Sequence, residues 1–356
     1  MSPLLLPLHP IAATTPDCFH YAPIAPDTPD CPVLRVCNAA GVGAVGLAIP
    51  VGIAIGYLAD VMFADPRRGH PVAGFGWCAT ALEKITYRDG RAAGVVHTAV
   101  LVGTLAVAGS IAQRRIGDST ARALLTAAAT WTALGGTTLA RTGAEMADLL
   151  DSGDLEGARG LLGSLCGRDP DLLDGPGLAR AACESVAENT SDATVAPLLW
   201  ASVAGVPGVL AYRGVNTLDA MIGHRSARYL QFGWAAARSD DLANYLPARL
   251  TGALTALSAP VIGGSGLRAL RAWRRDAGRH PSPNAGVAEA AFAGALGVQL
   301  GGPTQYRHQL EIRPTLGEGR GPQSADLRRA VRLSQLVQIA AAGVAIAISA
   351  ARRSGR

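Results

Sequence analysis

From Leu333 to Ala351 the chain carries no charged residue, and from Ala39 to Ala59 it again carries none. Each run is long enough to cross a bilayer as a helix, since about 20 apolar residues rising about 1.5 Å each match the hydrocarbon thickness. Inside lipid every backbone polar group must be satisfied within the protein, so these runs restrict the fold to helices. Ala92 to Ala112 is a similar run interrupted only by His97, and Ala123 to Ala140 is a weaker one containing Trp131 and the pair Gly135–Gly136. Leu250 to Gly266 is a further candidate, while Val287 to Gly301 is apolar but short. Charged residues make up 17% of the chain, below the roughly one quarter of soluble proteins. Aromatics are only 5%, so the apolar content is mainly small side chains that let membrane helices approach closely. No sustained alternation of strand type is present. The fold class predicted is all-α: a polytopic integral membrane bundle with polar active-site loops.

One apolar stretch does not fit a simple span. Ala193 to Tyr212 is interrupted by Pro197, Gly205, Pro207 and Gly208. Proline removes a backbone hydrogen bond and bends a helix, so this element either crosses as a broken helix or re-enters. If it crosses, the polar segments on its two sides face opposite sides of the membrane; if it re-enters, they share one. Residues 1–38 are dense in proline, lack a helical period and read as a disordered extension, leaving 39–356 as the membrane-embedded domain. Arg352, Arg353 and Arg356 after the last span favour the cytoplasm. The other loops do not decide the topology, since Arg67, Arg68, Lys84, Arg88 and Arg91 in one are balanced by Arg114, Arg115 and Arg122 in the next. A multi-pass protein of the cell membrane with a cytoplasmic active face is expected.

The net charge of +5 is spread over single or paired arginines, without the basic, aromatic-studded stripe of a nucleic-acid binder. Contact with anionic lipid is the simpler account. Lys84 is the only lysine, and it does not stand in Gly-Lys-Ser/Thr, so a Walker A loop is excluded and any nucleotide is held another way. The six cysteines (Cys18, Cys31, Cys37, Cys78, Cys166, Cys183) show no Cys-x-x-Cys pair, which argues against a structural zinc site or a disulfide scaffold.

Three polar clusters stand out. D-P-R-R-G-H-P-V around Asp65, Arg67 and His70 follows the first span and Asp60. It suits a positive flank with a turn, or a loop in which carboxylates hold a cation and arginines a phosphate. In E-S-V-A-E-N-T-S-D, Glu184, Glu188 and Asp192 stand four apart and line one helix face, with Asn189 beside them. Like charges at that spacing repel, which a divalent cation would reverse, although an exposed acidic face has the same pattern. The third cluster runs from Tyr212 to Arg249. It pairs Asn216 with Asp219 and Asp240 with Asn244 at helical spacing, with Asp241 alongside, and its Arg213, Arg225, Arg238 and Arg249 suit bidentate binding of phosphate or carboxylate. His224 reads as a simple hydrogen-bonding residue. Further on, His280, Asn284 and Glu289 precede Gly301–Gly302, glycines that read as small-residue helix packing.

Taken in order, D-P-R-R-G-H-P-V, E-S-V-A-E-N-T-S-D, Y-R-G-V-N-T-L-D-A-M-I-G-H-R, A-R-S-D-D-L-A-N-Y-L-P-A-R-L and H-P-S-P-N-A-G resemble the adenosylcobinamide-phosphate synthase family of cobalamin biosynthesis proteins (CobD/CbiB) over roughly residues 40–350. Ala220 stands where that family commonly has Ser, and the proline-rich start is not part of its pattern. The resemblance implies an integral membrane ligase that joins aminopropanol, or its O-phosphate, to a propionate of adenosylcobyric acid at the expense of ATP with Mg2+. Under that reading Glu184, Glu188, Asp192, Asp240 and Asp241 are the catalytic carboxylates, which bind metal or deprotonate the incoming ammonium. Glu184, Glu188, Asp192 and Asp241 are the candidate Mg2+ ligands. Asp65, Arg67, His70, Asn189, Arg213, Asn216, Asp219, Arg225, Arg238, Asn244, Arg249 and Asn284 are the candidate substrate- and phosphate-binding residues. The partners implied are the corrinoid, the aminopropanol arm, the lipid bilayer and other membrane enzymes of late cobalamin assembly, with no nucleic acid and no structural metal. A corrinoid or small-molecule transporter is the competing reading, since broken helices and intramembrane carboxylates also mark transport sites. A non-catalytic membrane sensor of the same fold is another.

Overall fold

The structure, a computed structural model, describes residues 47–66, 69–166, 169–171, 173–306 and 309–354. The proline-rich 1–38 segment and Arg67 lie outside them. The helices, in chain order, are α1 (Ala48–Phe63), α2 (Pro71–Thr86), α3 (Arg91–Arg115), α4 (Ser119–Ala133), α5 (Gly136–Ser152), α6 (Leu155–Leu162), α7 (Gly175–Thr190), α8 (Ala196–Leu218), α9 (Trp234–Ala243), α10 (Tyr245–Ser258), α11 (Gly266–Asp276), α12 (Ala285–Leu296) and α13 (Ser324–Ser354). Local chemistry sets several starts. The Asp118, Asp154 and Asp174 carboxylates accept N–H bonds from Ala121 (2.7 Å), Gly157 (2.9 Å) and Gly177 (2.8 Å), capping α4, α6 and α7.

Among the described residues, three helical segments have the length and apolar composition to cross a membrane: Arg91–Arg115, Gly175–Gly223, which however reverses at Gly205, and Ser324–Arg352. Together with the overall helical bundle they identify a membrane protein. α1 packs on α4 through Gly52-x-x-x-Gly56. A Cβ at these glycines would lie 2.6 and 2.7 Å from the Ala123 and Ala127 carbonyl oxygens, so only glycine allows this approach. All twelve residues of α12 are buried, which makes the short Val287–Gly301 run a core helix instead of a span.

Of the expected spans, Ala39–Ala59 lies partly outside the described residues and is met by α1, a 16-residue apolar helix shorter than the spanning ones. Two others are broken. Ala123–Ala140 divides between α4 and α5, because Leu134 is extended and the Gly135 N–H turns away to donate to the Ala193 carbonyl (3.1 Å). Leu250–Gly266 ends its helix at Ser258, tightens into a 3-10 turn and reverses at Gly263, φ 70°. The departure from helix is an antiparallel hairpin, β1 (Leu300–Tyr306) and β2 (Gln309–Leu316). Gly301 and Gly302 have φ of 78° and 87°, and the strand register slips between Leu300 and Gly302. These glycines therefore serve a bulge and not the helix packing expected of them. Asp276, at the end of α11, holds the far strand by accepting the Gly317 N–H (2.8 Å).

The Pro/Gly-broken segment is a helical hairpin. α7 runs through a π turn (Ser191–Val195) into α8, which ends in a second π turn (Asp219–Gly223). Within α8, Gly205 adopts φ 66°, ψ −149°, a region open essentially to glycine alone. The Tyr212 hydroxyl lies 2.8 Å from the Asp192 carbonyl oxygen, twenty positions earlier, where a straight helix would separate them by about 30 Å. At the apex the Gln113 side chain accepts the Val206 N–H (2.8 Å) and Arg352 donates to the Val203 carbonyl (2.7 Å), satisfying groups the reversal frees. The segment turns back instead of running through, so its two polar flanks meet at one end.

Candidate active site

Both π turns lie at the open end of this hairpin, one carrying Asp192 and the other Asp219. Such insertions frequently mark functional sites, since they rotate side chains off the regular helical face. Tyr212, 2% exposed, ties the arms together: its hydroxyl lies 2.8 Å from the Asp192 carbonyl and 2.9 Å from Asn244 Oδ1. Asn244 and Asn216 then donate to the two oxygens of Asp240 at 3.0 and 3.3 Å, and Arg213 Nη1 donates to Asn216 Oδ1 at 3.2 Å. The result is a chain, Arg213–Asn216–Asp240–Asn244–Tyr212, that closes on the backbone of Asp192.

Carboxylates crowd this chain. Asp192 experiences the charges of Asp240, Glu188 and Asp219, and Asp219 those of Asp240, Asp241 and Glu188, with Arg213 as the compensating cation. Among the described residues no donor contacts the Asp192 carboxylate, and Arg213 Nε is buried without an acceptor. Burial drives the Asp240 carboxyl above the ordinary carboxylate range. The hydrogen bonds from Asn244 and Asn216 oppose that shift and the Asp241 charge adds to it. A small cavity of about 80 Å³ opens against Arg213, lined also by Phe75, Leu105 and Thr217.

The expected site residues divide into three groups. Glu188, Asp192, Arg213, Asn216, Asp219, Asp240, Asp241 and Asn244 come together. Asn284 and Arg249 support them from outside: Asn284 donates to the Asp241 carbonyl (2.7 Å) and accepts from Arg249 (2.7 Å), whose guanidinium stacks on Tyr245. Arg238 pairs with Asp241 across an exposed turn at 3.3 Å. The rest are placed elsewhere. Glu184, expected as catalytic and as a metal ligand, is 2% exposed and accepts the Gly301 N–H (2.7 Å), with Arg180 bonding the Gly301 carbonyl. It anchors the hairpin. His70 caps α2 by accepting the Val72 N–H and lies 3.5 Å from Asp65. Asp65 itself belongs with the first group, since its charge acts on Arg213 and its carboxylate stands beside Gly135 together with Ala193, the neighbour of Asp192. Asn189 bonds back to Ser185 on its own helix, and Arg225 is exposed in the turn after the second π turn. The expectation that the polar groups sit in loops is also corrected, since Asp192, Arg213, Asn216 and Asp219 lie on the helical hairpin itself.

Sequence reading missed Tyr212 as a site residue. Its signal was a tyrosine opening the Y-R-G-V-N block at the end of an apolar run, where a buried phenol needs a polar partner. Glu83 was also missed; it is 8% exposed and accepts from Arg228 (2.7 Å) and Tyr229 (3.2 Å), locking the Ser226–Tyr229 turn to α2. A lone glutamate in an amphipathic helix gives no such signal.

Among the described residues no group of three or more His, Cys, Asp or Glu side chains forms a ready metal shell. Magnesium, however, is commonly held by one or two carboxylates together with substrate phosphates. The uncontacted Asp192 carboxylate and its acidic neighbours fit that mode.

No solved structure matches the chain. The family model for CobD/CbiB proteins matches residues 53–334. Among similar curated proteins, the cobalamin biosynthesis protein CobD of Mycobacterium tuberculosis is 64% identical over 303 residues, covering 85% of this chain and 96% of that protein. Proteins of the same name from Geobacter metallireducens and Rhodobacter capsulatus are 46% and 43% identical, covering 78% and 81% of this chain and 89% and 90% of their own lengths. The sequence blocks that the helical hairpin gathers at its open end are thus those of a cobalamin biosynthesis protein, and the chain belongs to the CobD/CbiB family.

Proposed function

We propose that the chain forms the amide bond between aminopropanol, or its O-phosphate, and a propionate carboxylate of adenosylcobyric acid, driven by ATP. The observation that carries this reading is the closure of the helical hairpin by Tyr212, which sets five carboxylates and one buried arginine around a single polar space. A carboxylate does not react with an amine at neutral pH until it bears a leaving group, which transfer of a phosphoryl group supplies. The amine then attacks, phosphate leaves, and a base takes the ammonium proton. Asp240, whose carboxyl is held above the ordinary carboxylate range by burial and which Asn216 and Asn244 hold in place, is the group best matched to that proton transfer. Arg213, with an unused Nε, is placed to hold a phosphate, and Arg238 stands at the rim. Asn216 and Asn244 fix Asp240 and keep it oriented. Magnesium bound at Asp192 and Glu188, with Asp241 nearby, would screen phosphate charge. The site faces the cytoplasm in this reading, where ATP is found, which puts the hairpin apex and Arg352 on the other side, against the orientation that the basic end alone favours. The protein crosses the membrane several times alongside other enzymes of late cobalamin assembly.

Transport of a corrinoid is the second reading. It is favoured by the placement of Asp192, Arg213, Asn216 and Asp219 within an apolar helical segment. Purified protein supplied with adenosylcobyric acid, ATP, magnesium and aminopropanol phosphate separates the two. Amide formation detected by mass, lost in Glu188→Gln and Asp241→Asn, supports ligation. Uptake into vesicles without covalent change supports transport, and full turnover in both variants would show the carboxylate assignment to be wrong.

A further inference from the structure

A groove of about 830 Å³ runs between α1, α5 and the start of α13, on a face that the carboxylate site does not use. One rim carries Arg141, Arg328 and Arg332. Arg328 is committed to Asp148 (2.7 Å) and Asp151 (2.5 Å). Arg141 and Arg332 are exposed and make no hydrogen bond or ion pair with any described residue. The opposite wall is apolar and outward-facing, with Val61 45%, Ile339 59% and Val261 72% exposed.

The position of the groove along the helices decides what kind of ligand suits it. Arg332 immediately precedes the uncharged run Leu333–Ala351, and Leu336 and Ile339 lie one and two turns into that run. The last turn of apolar α1, at Val61, meets the same groove. Uncommitted cations therefore sit at the polar boundary of the spans, directly above apolar side chains at acyl depth. A soluble phosphate would use the first half of this surface and leave the second exposed. Only an amphiphile with an anionic head satisfies both.

We propose that this groove binds one anionic phospholipid. Its phosphate lies between Arg141 and Arg332, and its acyl chains follow Val61, Val261, Leu336 and Ile339. The site is independent of the amide-forming reading and is tested without activity. Purified protein is incubated in detergent with phosphatidylglycerol or phosphatidylcholine, and retained lipid is read by native mass spectrometry. Phosphatidylglycerol should be retained about tenfold more than phosphatidylcholine, the scale expected when two arginines meet an anionic head. Arg141→Gln/Arg332→Gln should abolish that preference, while Arg114→Gln, at the far end of α3, should leave it intact. Ile339→Trp, which fills the acyl slot without touching charge, should weaken retention in a protein whose helical content is unchanged, so the test survives if the double variant fails to fold. Equal retention of the two lipids overturns the proposal. So does displacement of the lipid by inorganic or glycerol phosphate, which would make this a free-phosphate site, or by adenosylcobyric acid, which would make it a substrate site.

Discussion

Gly205→Ala should open the helical hairpin and dismantle the site without touching any of its polar residues. At φ 66°, ψ −149° a Cβ is strained by about 1–3 kcal/mol. It would also stand 2.4 Å from Gln113 Oε1, the atom that accepts the Val206 N–H. Moving Gln113 away leaves a donor on a residue only 1% exposed, at about 1–3 kcal/mol more. The sum, about 2–6 kcal/mol, is large against the 5–15 kcal/mol that typically separates folded from unfolded. The cheaper escape is for the two arms to splay, which pulls Tyr212 from Asp192. The assay is amide hydrogen exchange at Val206 and across the Tyr212 arm, read beside thermal melting with and without Gly205→Ala. Exchange there should quicken several-fold and the melting temperature should fall by several degrees. Gly103→Ala, in α3 with open space around it, is the control and should be neutral or slightly stabilising. If Gly205→Ala exchanges and melts like its parent, the hairpin does not depend on this glycine and the reasoning fails.

Tyr212→Phe should cost about 1–3 kcal/mol, because Asn244 Oδ1 and the Asp192 carbonyl lose their shared donor in a buried setting, and turnover should fall more than substrate binding; steady-state kinetics beside thermal melting checks both. Asp240 has a folded pKa above its unfolded value, so the folded protein holds the proton more tightly and the stability this confers is lost as pH rises through that interval. The melting temperature of the wild type relative to Asp240→Asn should therefore decline from about pH 4 upward, and a parallel pair of curves would contradict it. Asp276 behaves oppositely. Burial alone would raise its carboxyl, but Arg275 (2.8 Å), the Gly317 N–H and Arg279 hold it below the usual range, so its contribution is present above about pH 4 and is lost as pH falls through the folded pKa. Asp276→Asn should flatten that acid limb and loosen the β hairpin, read as faster amide exchange at Leu316 and Gly317.

Much of this was legible in the residues. Uncharged runs marked two helices of spanning length, at Arg91–Arg115 and within Ser324–Arg352, because burying a helix in lipid is written locally in composition. The β hairpin was not legible. Its register rests on Glu184 and Asp276 reaching across 117 and 41 positions, and its glycines have no partner in sequence. For the same reason Glu184 looked like a third rung of an acidic face: periodicity places Glu184, Glu188 and Asp192 on one stripe but cannot say what packs against each rung.

The sequence by itself determined that the chain is a membrane helix bundle and which family its blocks resemble, since each is a property of short contiguous stretches. Whether Ala193–Tyr212 crosses or turns back could not be read there, because Pro197, Gly205 and Pro207 permit either path. Tertiary contacts decided it: the Gln113 and Arg352 side chains satisfy the backbone freed at Gly205, and Tyr212 closes on Asp192 and Asn244. A reversal in an apolar setting is stable only when other helices supply those partners. That is why three polar blocks far apart in sequence can share one site.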